Sequence, residues 1–148
     1  MSNMYTEMQK RHQEEINAFP SFFAFNEMQM AEGLKKLGLN RSSARKELCQ
    51  GAFGMFYRKS DADNLHAMLR RFITEKANAI ASDPTGEGFI CDMFRSELAD
   101  HEFAYTQDIS DALAACGFSA RQVIEDPRLK HGLEKACTDL MAWYREHN

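Results

Sequence analysis

The sequence predicts a mainly α-helical protein, a single-domain bundle of about six helices over residues 1–148, with a small β-hairpin near residues 49–59. Three observations carry this reading. Apolar residues recur three and four positions apart along most of the chain, which places them on one face of a helix turning about 100° per residue. Helix-stop and turn residues separate those stretches, as at Gly38, Asp83–Gly88 and Gly117. Between residues 49 and 59 that period gives way to two glycines set among aromatic residues.

In chain order, residues 4–18 form a first amphipathic helix, with Tyr5, Met8, His12, Glu15 and Ile16 near one side. Pro20 biases Phe19 away from helical geometry, and four phenylalanines crowd into residues 19–25. That cluster reads as an aromatic plug filling the core, or else as an exposed patch for a partner. Asn26 caps a second helix, with Met28, Met30, Ala31, Leu34 and Leu37, and Gly38 ends it. Residues 41–50 make a helical turn or two. Gly51 and Gly54, among Phe53, Met55, Phe56 and Tyr57, suggest a bent strand or hairpin. Ser60 and Asp63 open a helix to about Ser82, with a stripe of Leu65, Met68, Leu69, Phe72, Ile73, Ala79 and Ile80 and with His66 at its edge. The turn DPTGEG at 83–88 returns the chain, so the helices before and after it are expected as antiparallel neighbours.

The stretch Gly86–Thr106 reads as a helix carrying Ile90, Met93, Phe94, Glu97, Leu98, His101 and Tyr105 in one sector. Short helices follow at Asp108–Cys116, stopped by Gly117, and at Ser119–Glu125. Asp126-Pro127 starts the last helix as cap and first-turn proline, with a stripe of Leu129, Leu133, Ala136, Cys137, Leu140 and Trp143.

Composition narrows the function classes. Of 148 residues, 44% are hydrophobic and 27% charged, and no apolar run approaches the roughly 20 residues that span a bilayer. The polar N-terminal stretch lacks the apolar middle of a secretory signal, so a cytoplasmic location is expected. Cys49, Cys91, Cys116 and Cys137 are widely spaced without zinc-type pairing and read as reduced, mostly buried thiols. The net charge of −4 disfavours a general nucleic-acid binder, yet ten basic residues against four acidic lie between Lys35 and Lys76. From Asp83 to Asp111, eight acidic residues face Arg95 alone.

Glu97 and His101, four apart on an apolar face, are the chemically odd residues. The pair fits a hydrogen-bonded polar contact in the core, a partner-contact surface, or a metal or acid–base site to which His66, His131, Asp92 or Glu102 would add donors. Asp92, Asp100 and Glu102 lie off the apolar sector. They form a solvated acidic face or a docking surface for a basic partner.

The blocks INAFPSFFAF at 16–25, MAEGLKKLGL at 30–39, FYRKSD at 56–61, DPTGEGFICDMF at 83–94, ELADHEFAYTQD at 97–108 and HGLEKA at 131–136 resemble a family of small uncharacterised bacterial proteins associated with phages and other mobile elements. In that family a Gly-rich segment precedes R-K-[ST]-D; here it is reduced to Gly51 and Gly54. The resemblance implies no activity and no site residues. It implies the company of small non-enzymatic inhibitors of host defence, anti-CRISPR proteins among them.

The expectation is therefore a non-enzymatic protein, without cofactor, that acts by protein–protein interaction as a mobile-element accessory or host-defence inhibitor. Its partners would be another protein, a host-defence protein among them, or a second copy of itself, and not a membrane. The alternatives are a metal-binding protein or metal-dependent enzyme using Glu97, His101 and His66, and, third, nucleic-acid binding through the basic 35–76 region.

Overall fold

A computed structural model describes residues 3–51 and 54–148. Phe53, expected within the hairpin, lies outside the described residues. The described residues form nine α-helices and a three-stranded antiparallel sheet. The helices are α1 Met4–Ala18, α2 Glu27–Lys36, α3 Arg41–Glu47, α4 Ala62–Ala81, α5 Phe89–Asp100, α6 Phe103–Thr106, α7 Ser110–Cys116, α8 Ala120–Glu125 and α9 Pro127–His147. The mainly helical class holds, but about six helices was too few. Arg41–Glu47 form a helix of their own, about the two turns expected there, and the stretch expected as one helix to Thr106 is two. No helix among the described residues is long and apolar enough to cross a membrane.

The chain divides into two compact units, one of the described residues up to Arg11 with Glu75–Asn148, the other of His12–Thr74. In the second unit, β1 (Ser21–Phe22), β2 (Leu48–Gln50) and β3 (Phe56–Arg58) are ordered β1-β3-β2, so the expected hairpin gains a third strand from the phenylalanine segment. Phe22 stacks on Phe56 with ring centres 5.3 Å apart. It also lies so close over Gly33 of α2 that an added Cβ there would fall 2.1 Å from its ring. Asn26 caps α2 through Gln29 N, and Asn40 caps α3 in a reciprocal pair with Ser43. The aromatic plug is only half a plug: Phe22 is buried, whereas Phe23 and Phe25 are exposed. Ile73, placed in the α4 stripe by its spacing, is also exposed.

The first unit is built around α5, whose Ile90, Cys91, Met93, Phe94 and Leu98 are wholly buried. It packs chiefly on α9 and α7, not on α4 as the turn at 83–88 suggested; from α4 the cluster takes Ala79 and Ile80. The turn itself explains the difference. No side chain caps α5 at the adjoining Gly88. The carboxylate of Asp83 does so from upstream, accepting N–H groups of Thr85 (3.3 Å), Gly86 (2.9 Å), Gly88 (3.0 Å) and Ile90 (3.1 Å). Arg128 of α9 then donates to the carbonyls of Ile80 and Asp83, 3.0 and 2.8 Å away. These bonds seal the end of α4. α9 reaches that turn because it carries Gly132, where an added Cβ would sit 2.6 Å from both Gly86 O and Ile90 Cγ2.

Burial alone would raise the Asp83 carboxyl, but the amides of Ile90, Gly86, Gly88 and Thr85 outweigh it and hold the group below its usual value of 3.8. A depressed carboxyl contributes stability above its unfolded value that is lost as pH falls through its folded one. Asp83→Ala is therefore expected to cost about 3 kcal/mol or more at neutral pH, because it leaves buried amides without an acceptor. Asp83→Asn should flatten the acid limb of a stability–pH curve below pH 3.8. A second comparison isolates sterics. Gly86 and Gly117 share φ +89°, but a Cβ at Gly86 would lie 2.1 Å from Arg128 O, whereas Gly117 has nothing within 4 Å. Denaturant melts should give about 1 kcal/mol for Gly117→Ala and a clearly larger loss for Gly86→Ala.

Candidate partner-binding surface

Glu97 is buried at 7% exposure, and its Oε1 accepts the hydroxyl of Tyr5, which donates from 3.0 Å. Burial, followed by the hydrogen bond to Glu97, pushes the Tyr5 hydroxyl far above its ordinary value, so it stays a donor. His101 is half-buried; its Nδ1 lies 2.8 Å from Glu97 O and 3.8 Å from the Glu97 carboxylate. The Glu97 carboxylate is thus tied to Tyr5, while His101 meets the Glu97 backbone carbonyl. Among the described residues no three His, Cys, Asp or Glu side chains stand close enough to hold a metal ion. His66 is exposed on α4 in the other unit.

His101 also marks where α5 ends. Continued at about 100° per residue, the helix would carry Phe103 some 120° away from the Glu97 direction, outside the apolar sector. Instead Glu102 takes a left-handed conformation, φ 58°, and the chain turns into α6. Phe103 is thereby buried, and Tyr105, expected in the apolar sector, is turned out to 71% exposure. Trp143, also expected in the core, is 56% exposed near the end of α9.

Together these displacements build a surface. A groove of about 550 Å³ is lined by Asn3, Arg95, Ser96, Ala99, Asp139 and Trp143, and by Leu140. Trp143, Leu140 and Ala99 also line an adjoining hollow of about 150 Å³ with Glu102, Tyr105 and Tyr144. The groove carries a fixed polar network: Arg95 donates to Asp139 at 2.6 Å, to Cys91 Sγ at 3.2 Å and to Asp92 at 3.4 Å, and Lys135 reaches Asp139 at 3.2 Å. Burial would raise the Asp139 carboxyl, but hydrogen bonds from Arg95 and Lys135 hold it below its usual value.

The acidic candidates separate. Asp92 is not part of an outward acidic face: its carboxylate also accepts Met4 N at 2.9 Å and its side chain is only 14% exposed. Asp100 and Glu102 are exposed, and Glu102 lines the hollow. Neither Glu97 nor His101 lines any of five surface grooves, the largest of which, about 690 Å³, lies in the other unit and is lined by Phe22, Phe23, Leu65 and Lys36 among others. The free cysteines include the buried Cys91 and Cys116, and burial raises the Cys116 thiol to about 12. In the sequence Asp83 figures only as an acidic turn residue, Arg95 only as a lone basic residue and Tyr105 only as part of the apolar face, and Asp139 not at all; the missing cap before Phe89 was a signal for Asp83.

Residues 4–139 match the model of a family of unknown function, DUF7659. The chain belongs to this family. The DUF7659 match takes in Asp83, Arg95, Glu97, Glu102, Tyr105 and Asp139, whereas Leu140, Trp143 and Tyr144 follow it. No curated protein and no solved structure matches the chain.

Tyr5→Phe should test the buried pair. It removes one hydroxyl and leaves a buried carboxylate oxygen without its donor, an expected loss of about 1–3 kcal/mol. Glu97→Gln, which keeps an oxygen to accept that hydroxyl, should cost less in the same denaturant melts.

Proposed function

We propose that this protein acts by protein–protein contact through the surface around Trp143, as an accessory factor of a mobile element that inhibits host defence in the manner of anti-CRISPR proteins. The observation that supports the contact reading is the exposure of Trp143 and Tyr105 side by side with a fixed arginine, Arg95. Tryptophan, tyrosine and arginine dominate the energetics of protein interfaces, because each combines a large contact area with a polar handle. The Arg95–Asp139–Lys135 network supplies the polar edge that such interfaces keep, while the exposed carboxylates of Asp100 and Glu102 suit a basic partner. The mobile-element setting rests only on the resemblance of the quoted sequence blocks to a family associated with phages.

The test is affinity capture from cells of the encoding organism, with proteins identified by mass spectrometry. Wild type should retain a specific partner, and Trp143→Ala should weaken its binding about thirtyfold, the effect of losing an interface hot spot. The pair Asp100→Lys with Glu102→Lys should weaken it as well, without changing the melting temperature. Capture of no partner, or equal capture by all variants, counts against the proposal.

A further inference from the structure

The hollow beside Trp143 has a more specific chemistry than a contact surface requires. It is lined by Tyr105, Trp143 and Tyr144 together with Leu140, Ala99, Ala104 and Glu102, with no lysine or arginine, and the His147 ring stacks on one face of Trp143 at 4.2 Å. Tyr105 and Tyr144 meet edge to face, with centroids 5.2 Å apart and planes at 81°, so the edge of one ring occupies a face of the other and the remaining faces stay open. Aromatic faces carry the negative lobe of the ring quadrupole and attract cations that approach within about 6 Å. A carboxylate at the same hollow adds a full negative charge. A volume of about 150 Å³ admits the head of an alkylammonium group and little more.

The geometry is also held from both sides. Glu102 and Gln107, both left-handed at φ 58° and 57°, bracket α6. Glu102 O accepts the amides of Tyr105 and Thr106 at 3.0 and 3.2 Å. One residue thus supplies the carboxylate and anchors the turn that carries the first ring. Left-handed backbone is disfavoured for residues with a Cβ and persists where the surroundings impose it.

We propose that this hollow is a cation-recognising pocket that receives the ammonium head of a lysine side chain on the partner. The assignment rests on the partner-contact reading and adds to it the chemistry of the residue recognised.

Trp143 is the only tryptophan in the chain, so its fluorescence reports on the pocket directly. Three probes are titrated at constant ionic strength: N-acetyl-lysine methylamide, choline, and 3,3-dimethylbutan-1-ol, the uncharged analogue of choline. Both cations should give a saturable change and the alcohol none. Tyr105→Ala, Tyr144→Ala and Glu102→Gln should each weaken cation binding about threefold to fivefold, the scale of one exposed cation–π contact or rim charge. Tyr105→Phe, which keeps the ring, should bind as wild type, and circular dichroism melts establish that every variant is folded.

Equal binding of alcohol and choline would overturn the proposal by showing a merely apolar hollow, and so would the absence of a saturable response to both cations. Binding of choline without the lysine derivative would overturn the assignment to a lysine. If the cations fail while Trp143→Ala still loses its captured partner, the pocket assignment falls and the contact reading stands.

Discussion

One carboxylate sets the architecture of the first unit. Asp83 gathers four amides of the following loop and of the start of α5, groups that would otherwise be buried without acceptors. With the amides gathered, the loop folds tightly enough to lie against α9 at Gly132, and Arg128 closes the other side by binding the carbonyls of Ile80 and Asp83. The direction in which α5 leaves this knot determines what it can bury. Ile90, Met93, Phe94 and Leu98 meet α7 and α9, and the far end of α5 emerges near Trp143. The surface proposed for partner contact thus depends on a charge buried at the opposite end of the helix.

That dependence gives the polar residues of α5 separate tasks. Glu97, tied to Tyr5, holds α1 to α5. Asp92 does the same through Met4 N and joins the Arg95 network. Asp100 and Glu102, beyond the last covered turn, remain available to solvent. Of the three acidic residues placed off the apolar face, Asp92 is a fastener, whereas Asp100 and Glu102 face solvent.

Much of the fold was legible in the sequence. Asn26, Ser119 and Asp126 lie where they cap helices, Gly38 and Gly117 lie beyond helix ends in left-handed conformations, and apolar spacing located most of the helices. These are local signals, carried by bonds between residues a few positions apart. What could not be read depends on non-local geometry. A period of 3.6 residues assigns a face, but whether the face is covered depends on which other elements reach it. Ile73 and Trp143 keep their stripe positions and remain exposed. Tyr105 lost its position because the left-handed Glu102, which brings Phe103 inward, resets the helical phase. The first strand was hidden because two residues, Ser21 and Phe22, have no period of their own and pair only once β3 is in place. Of the candidate site, Glu102 was anticipated as a contact residue, whereas the aromatic wall beside it was assigned to the core.

The central claim, that the surface carrying Tyr105 and Trp143 is where this protein meets another, is tested most directly by placing a photoreactive benzoylphenylalanine at single positions and irradiating living cells of the encoding organism. Position 105 should give a discrete covalent adduct of one partner protein, while position 124, where the equally exposed Ile124 belongs to α8, should give none. Equal adducts at both positions, or none at 105, would contradict it.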